Sequence, residues 1–177
     1  MLFPTWSYFP RNAKAPSWVH PFVAVVADAE AVVSTAKGSG LKSDDVLAAL
    51  APGLANLGFS VESGKKQAQK ISRPVLFGEN GVPQVSYDID AFHDELGIAV
   101  EVEAGRGAAN NADYRDIVRT ALILDASYLV LLMPVDYWAG SNNQSVKAYS
   151  RTRSQLDALY ASDRLKLPFA GVLLVGY

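Results

Sequence analysis

Cysteine is absent from all 177 residues. That excludes a disulfide framework, a Cys-ligated zinc site and thiol catalysis. Histidine is scarce, with only His20 and His93, so a histidine-rich zinc site is not expected. No nucleophile elbow accompanies them to support a Ser-His-Asp hydrolase. Long hydrophobic runs are missing as well. The longest, Phe22 to Val33, is interrupted by Asp28 and Glu30 and is too short to span a bilayer. The N-terminus shows no basic leader followed by an apolar segment, so neither a signal peptide nor membrane contact is expected, and the expected location is cytoplasmic. Excess positive charge is lacking too. A net charge of −2 argues against coating nucleic acid by bulk charge, while leaving room for a local basic groove. With no repeat, low-complexity tract or linker-like stretch, residues 1–177 are expected to form one domain.

What the chain does contain is a regular succession of apolar patterns. Residues 1–21 combine Pro4, Pro10, Pro16 and Pro21 with Trp6, Tyr8, Phe9 and Trp18, a composition that forbids a long helix and predicts an arm packed on the domain or on a partner subunit. Phe22 to Ala36 reads as an amphipathic helix with Phe22, Val25, Val26, Ala29, Val32 and Val33 on one stripe. A second helix starts near Ser43 and meets Pro52 as a kink or boundary. Short strands at Phe59–Glu62 and Pro74–Phe77 follow, then a tight turn at Glu79-Asn80-Gly81. A third helix over about 110–124 places Tyr114, Ile117, Val118, Ala121 and Leu122 on its apolar stripe. Tyr128–Met133 and Phe169–Val175 are continuous apolar runs, the mark of strands buried on both sides, and a last helix from about Gln144 to Ala161 separates them. Strands that alternate with crossover helices run parallel, so the fold class predicted is α/β (α+β mixed), with a central mixed sheet and helices on both faces.

The chemistry-bearing stretch is Tyr87 to Glu103. Two β-favouring runs flank His93 to Gly97, and each carries two acids two residues apart: Asp88 and Asp90, then Glu101 and Glu103. On a strand, i and i+2 share a face. A loop of Asp94–Gly97 with a left-handed glycine sets Asp90 opposite Glu101 and Asp88 opposite Glu103, whereas a two-residue turn at Asp94-Glu95 pairs Asp88 with Glu101. Either register gathers the four acids on one face. Two readings stand for such a face: a site for a hard divalent cation, Mg²⁺ or Mn²⁺, or the solvated side of an edge hairpin.

Asp90, then Glu101-Val102-Glu103 on the next strand, then a helix and a buried strand, resembles the PD-(D/E)xK nuclease superfamily of restriction-endonuclease-like enzymes. The likeness covers about Phe22 to Met133 and is carried by those few residues. It implies that Asp90 and Glu101 are metal ligands with the Val102 carbonyl as a third. It groups Asp90, Glu101 and Glu103 as the catalytic acids, with Glu103 in the place usually held by a lysine that orients or deprotonates the attacking water. Three roles stay open for that acid: a second metal ligand, a base, or a relic of lost activity. Ile89 replaces the proline of the family name. Glu30 sits where first-helix acids sometimes join such sites, and Asp88 is a spare acid. The implied reaction is Mg²⁺-dependent hydrolysis of DNA, in a restriction or defence setting. Arg106, Arg115, Arg119, Lys65 and Lys66 would contact phosphates, with Lys147 and Arg151 as further candidates, and a homodimer would match the two strands of a duplex.

A rival motif is Gly105-Arg106-Gly107-Ala108-Ala109-Asn110, close to a dinucleotide-binding turn, with Asp125 further on. Asn110 replaces the third glycine, and Glu101 and Glu103 precede the spot where a pyrophosphate would lie, which is unfavourable electrostatically. The rival of a different class is a non-catalytic protein that keeps the nuclease fold for nucleic-acid binding or assembly.

Overall fold

A computed structural model of the chain describes residues 2–35, 40–104, 111–139, 144–162 and 164–177. Strand β1 is Thr5–Phe9. The aromatic-rich start is therefore a strand of the central sheet, with Trp6 opposite Val175 and Tyr8 opposite Leu173. Pro4 and Pro10 lie just outside it, where they remove no ladder hydrogen bond.

Helix α1 spans Val19–Asp28, and a further single turn, α2, spans Glu30–Val33. The unbroken helix over 22–36 is thus corrected at both ends. Pro21 falls in the first turn, where its missing N–H costs no helical bond, so the helix starts before it. A break at Ala29 then turns Val32 outward, leaving it 55% exposed, while Val19, Phe22 and Val26 form the buried face. Helix α3 runs over Ser43–Asn56 with Pro52 inside it rather than at its end.

Strands β2 (Ser60–Val61), β3 (Ile71–Phe77), β4 (Pro83–Ile89), β5 (Ala91–His93) and β6 (Ile98–Val102) come next. Asn80 and Gly81, both at positive φ, turn β3 into β4. Then follow α4 (Ala112–Ala121), β7 (Tyr128–Met133), β8 (Tyr137–Ala139), β9 (Gln144–Val146), α5 (Ala148–Ala161) and β10 (Gly171–Gly176). The segment predicted as the start of the last helix is instead β9, paired antiparallel with β8, and the helix begins at Ala148.

The central sheet has the order β1-β10-β7-β6-β5-β2, with β3-β4 as a separate two-stranded ribbon. Its centre is parallel, β10 against β7 and β7 against β6, as the crossover helices require. Alternation along the strands divides the core in two. Val100, Val102, Val130, Leu132 and Leu173 pack with Phe22, Val26 and Leu50 of α1 and α3. Ala99, Leu129, Leu131, Met133 and Leu174 pack on the other face with Ile117 of α4 and Leu156 of α5. The result is the mixed α/β architecture, helices on both faces, that the resemblance implies. No helix among the described residues is long and apolar enough to cross a membrane.

The β5-β6 hairpin takes the four-residue loop. Ala91 pairs with Val100, Phe92 with Ala99 and His93 with Ile98, leaving Asp94–Gly97 as the loop. Gly97 has φ 61°, and a Cβ there would lie 2.5 Å from the Asp125 carbonyl oxygen. Gly97→Ala therefore meets both a left-handed penalty and a backbone clash. It is expected to destabilise by roughly 1–3 kcal/mol, read as a lower urea midpoint at unchanged slope. An unchanged midpoint would mean that this loop does not hold the hairpin in register.

Candidate active site

The site grows from the end of β6. Glu103 N donates to the Leu132 carbonyl at 2.9 Å, so the strand pairing continues past Val102. Glu101 and Glu103 share parity with Ala99 and face the α4/α5 layer, and both are buried. Tyr177 supports this end from behind: its ring lies in the α1/α3 core and its hydroxyl donates to the Glu103 carbonyl at 2.7 Å. Asp90 sits at the step between β4 and β5, half-buried, and its Oδ2 accepts the Val102 N–H at 2.7 Å. Asp90, Glu101 and Glu103 thus belong to one group. Asp88 lies in the ribbon opposite Ser72, where its charge acts on Lys70.

Helix α4 closes the group from above, in an orientation the apolar spacing does not predict. Its buried residues are Ala112, Asp113, Asp116, Ile117 and Thr120. Tyr114, Val118 and Leu122 of the expected stripe are 41%, 58% and 49% exposed. Asp113 accepts from Thr152 Oγ1 of α5 at 2.8 Å and faces Arg151 Nη2 at 3.9 Å, which fixes the helix with its carboxylates inward. Arg115 then spans the acids: Nη2 meets Glu103 Oε1 at 2.8 Å and Nε meets Asp116 Oδ1 at 3.0 Å. Arg119, one turn on, donates to the Asp88 carbonyl at 3.1 Å and stacks over Tyr87. The signal for this face was present as Asp113, Asp116 and Thr120 at helical spacing, a polar period rather than an apolar one.

Two further charged residues escaped the sequence reading. Glu62, just after β2, accepts from Lys70 Nζ at 2.6 Å. Lys70, just before β3, is the cation whose charge offsets Asp90. No spacing rule links residues 62, 70 and 90; the sheet does.

Proton affinities follow from burial. Desolvation, with the charges of Glu62 and Asp116, raises Asp90 to about 6 despite the Val102 N–H. Glu101 is pushed well above its usual value by burial and then by Asp90 and Asp116, with Arg119 opposing. Glu103 is pushed up to about 8 by burial and by close approach to the Asp116 carboxyl, with Arg115 opposing. Glu101 Oε1, Asp116 Oδ2 and Thr120 Oγ1 are buried without a hydrogen-bond partner.

All the donors here are oxygen, several are anionic, and Glu101 offers a free buried oxygen, which suits a hard divalent cation. Among the described residues no three Asp, Glu, His or Cys side chains already surround a common point fit for an ion. Asp90 Oδ2 is engaged by Val102, and Arg115 holds one oxygen each of Glu103 and Asp116.

The remaining candidates are spread out. Lys65 is exposed, 3.6 Å from Asp44, and Lys66 is exposed on the same loop. Lys147 pairs with Asp136 and Arg151 lies beside Asp113. Glu30 is exposed at the rim of a cavity shared with Phe3, Ser34 and Tyr177. Arg106 and the glycine-rich 105–110 motif lie outside the described residues.

Residues 5–177 match a protein-family model described as "Putative halobacteria restriction endonuclease". No curated protein matches the chain.

A carboxyl whose folded pKa is raised binds its proton more tightly in the native state, so its stabilising effect is complete below the unfolded value and is lost as pH rises through the folded one. For Asp90 that window runs from about 4 to about 6, and the upward shifts of Glu101 and Glu103 extend it higher. The metal-free chain is expected to lose stability between about pH 4 and about pH 8. Glu101→Gln should restore part of that loss at the upper end, measured by urea denaturation. Equal losses in wild type and variant would show that Glu101 is not ionised under strain.

Proposed function

Because the chain belongs to this halobacteria restriction endonuclease family, we propose that it is a divalent-metal-dependent endonuclease that hydrolyses phosphodiester bonds in DNA. The observation that carries the proposal is Glu101: a buried carboxylate with a partnerless oxygen, beside Asp90, on the face where Arg115 and Arg119 supply positive charge. An incoming cation would relieve that oxygen.

In this reading Asp90 and Glu101, with the Val102 carbonyl, hold Mg²⁺ or Mn²⁺. The ion supplies polarisation of the phosphoryl oxygen and a more acidic bound water. The reaction itself forms one P–O bond from water and breaks the P–O bond to the leaving strand, which departs with a hydroxyl. Glu103 stands where the resembled enzymes carry lysine, and in its carboxylate form, paired with Arg115, it can take the proton that the attacking water gives up. Arg115 and Arg119 lie beside these acids and would meet the phosphates; Lys65, Lys66 and Arg106 would extend the contact along the backbone. A homodimer would present one such site to each strand of a duplex. Restriction or defence against foreign DNA is the setting the family name suggests.

A second reading is a nuclease-fold protein that binds nucleic acid or assembles without cutting. The Arg115 guanidinium favours it, since it already neutralises Glu103 and Asp116.

Supercoiled plasmid separates the two. The wild type should nick it in Mg²⁺, Glu101→Ala should lower that rate roughly 100-fold or more, and raising salt from 50 to 200 mM should weaken DNA binding steeply in both proteins. Binding without any nicking, in Mg²⁺ or Mn²⁺, would support the non-catalytic reading.

A further inference from the structure

Helix α4 adds to the acid face a carboxylate that the family resemblance does not supply. Asp116 is 1% exposed. Its Oδ1 is taken by Arg115 Nε at 3.0 Å, while its Oδ2 is buried with no partner. Glu101 Oε1 on β6 is in the same condition. Buried anionic oxygens without partners are strongly disfavoured, and a pair of them on facing elements is what a cation would complete. Arg115 holds one oxygen each of Glu103 and Asp116, which sets Asp116 beside the end of β6. Thr120, one turn further along the same face, has a buried hydroxyl that is likewise unpartnered. Glu103 also has one oxygen, Oε1, on Arg115 at 2.8 Å, but unlike Asp116 it has no buried oxygen without a partner.

We propose that Asp116 is a direct ligand of the divalent cation held by Asp90 and Glu101, so that the metal centre spans β6 and α4. Glu103, which offers no buried oxygen without a partner, then stays outside the ligand set and free for proton transfer. This inference rests on the reading of the site as a metal centre. Its rival is a structural pair in which Asp116 and Glu103 share a proton and no metal contact is made.

The test uses the full chain and two readouts that need no DNA. Free Mn²⁺ is followed by electron paramagnetic resonance, and metal-bound waters are counted from Eu³⁺ luminescence decay in H₂O and D₂O. Wild type should bind Mn²⁺, and Asp116→Asn should weaken it at least tenfold and add about one metal-bound water, because a lost ligand is replaced by solvent. Weakened Mn²⁺ binding with an unchanged water count would mean that Asp116 acts only by its charge, which overturns the ligand assignment. Wild-type affinity in Asp116→Asn overturns it too. If wild type and Glu101→Gln both fail to bind Mn²⁺, the metal centre itself is refuted, and the Asp116 assignment falls with it. Should Asp116→Asn not fold by circular dichroism, Asp116→Ser, smaller and uncharged, is measured in its place against the same outcomes.

Discussion

The structure is organised around an electrostatic conflict: acids from three elements are buried facing one another. Asp90 from the β4-β5 step and Glu101 and Glu103 from β6 all feel the charge of Asp116 from α4. Uncompensated, such a group works against folding, since burial and like charge both penalise ionisation. The chain compensates part of it. Val102 N–H serves Asp90, Arg115 bridges Glu103 and Asp116, and Lys70 and Arg119 contribute at the edges. What is left over, the free oxygens of Glu101 and Asp116, is the part that points to a ligand.

The fold makes that conflict tolerable. The parallel centre of β6, β7 and β10 is apolar on both faces and covered by helices on both sides. It leaves the acids confined to the end of β6, where Tyr177 and Leu132 fix the backbone through Glu103. Strain of this kind in an otherwise well-packed domain fits the proposed active site, as stability traded for function.

Much of the scaffold was legible in the sequence, for definite reasons. The runs Tyr128–Met133 and Phe169–Val175 announced buried strands, and the helices between them required a parallel arrangement. Of the two loops the sequence left open, the structure takes the four-residue one with Gly97 at positive φ, which continues the pairing toward Asp90 opposite Glu101. The orientation of α4 was not legible from its apolar residues. Tyr114, Val118 and Leu122 form a convincing stripe but face outward, because the inward face is polar to match Glu101 and Glu103. A rule that turns apolar stripes inward fails where a site is lined by charge. Glu62 and Lys70 were hidden for another reason: they reach Asp90 through strand pairing, and nothing local connects them. The β1 strand was masked by its flanking prolines, which suggested an irregular arm rather than a bounded strand.

The central claim is that Asp90 and Glu101, whose proton affinities burial raises, give up protons when a divalent cation takes their place. Isothermal titration of Mn²⁺ at about pH 6.5, in buffers of different ionisation enthalpy, measures that exchange directly, because ligands must lose their protons to bind. The account predicts that binding releases protons and tightens as pH rises. Mn²⁺ that binds with no proton release, at an affinity indifferent to pH, would contradict it.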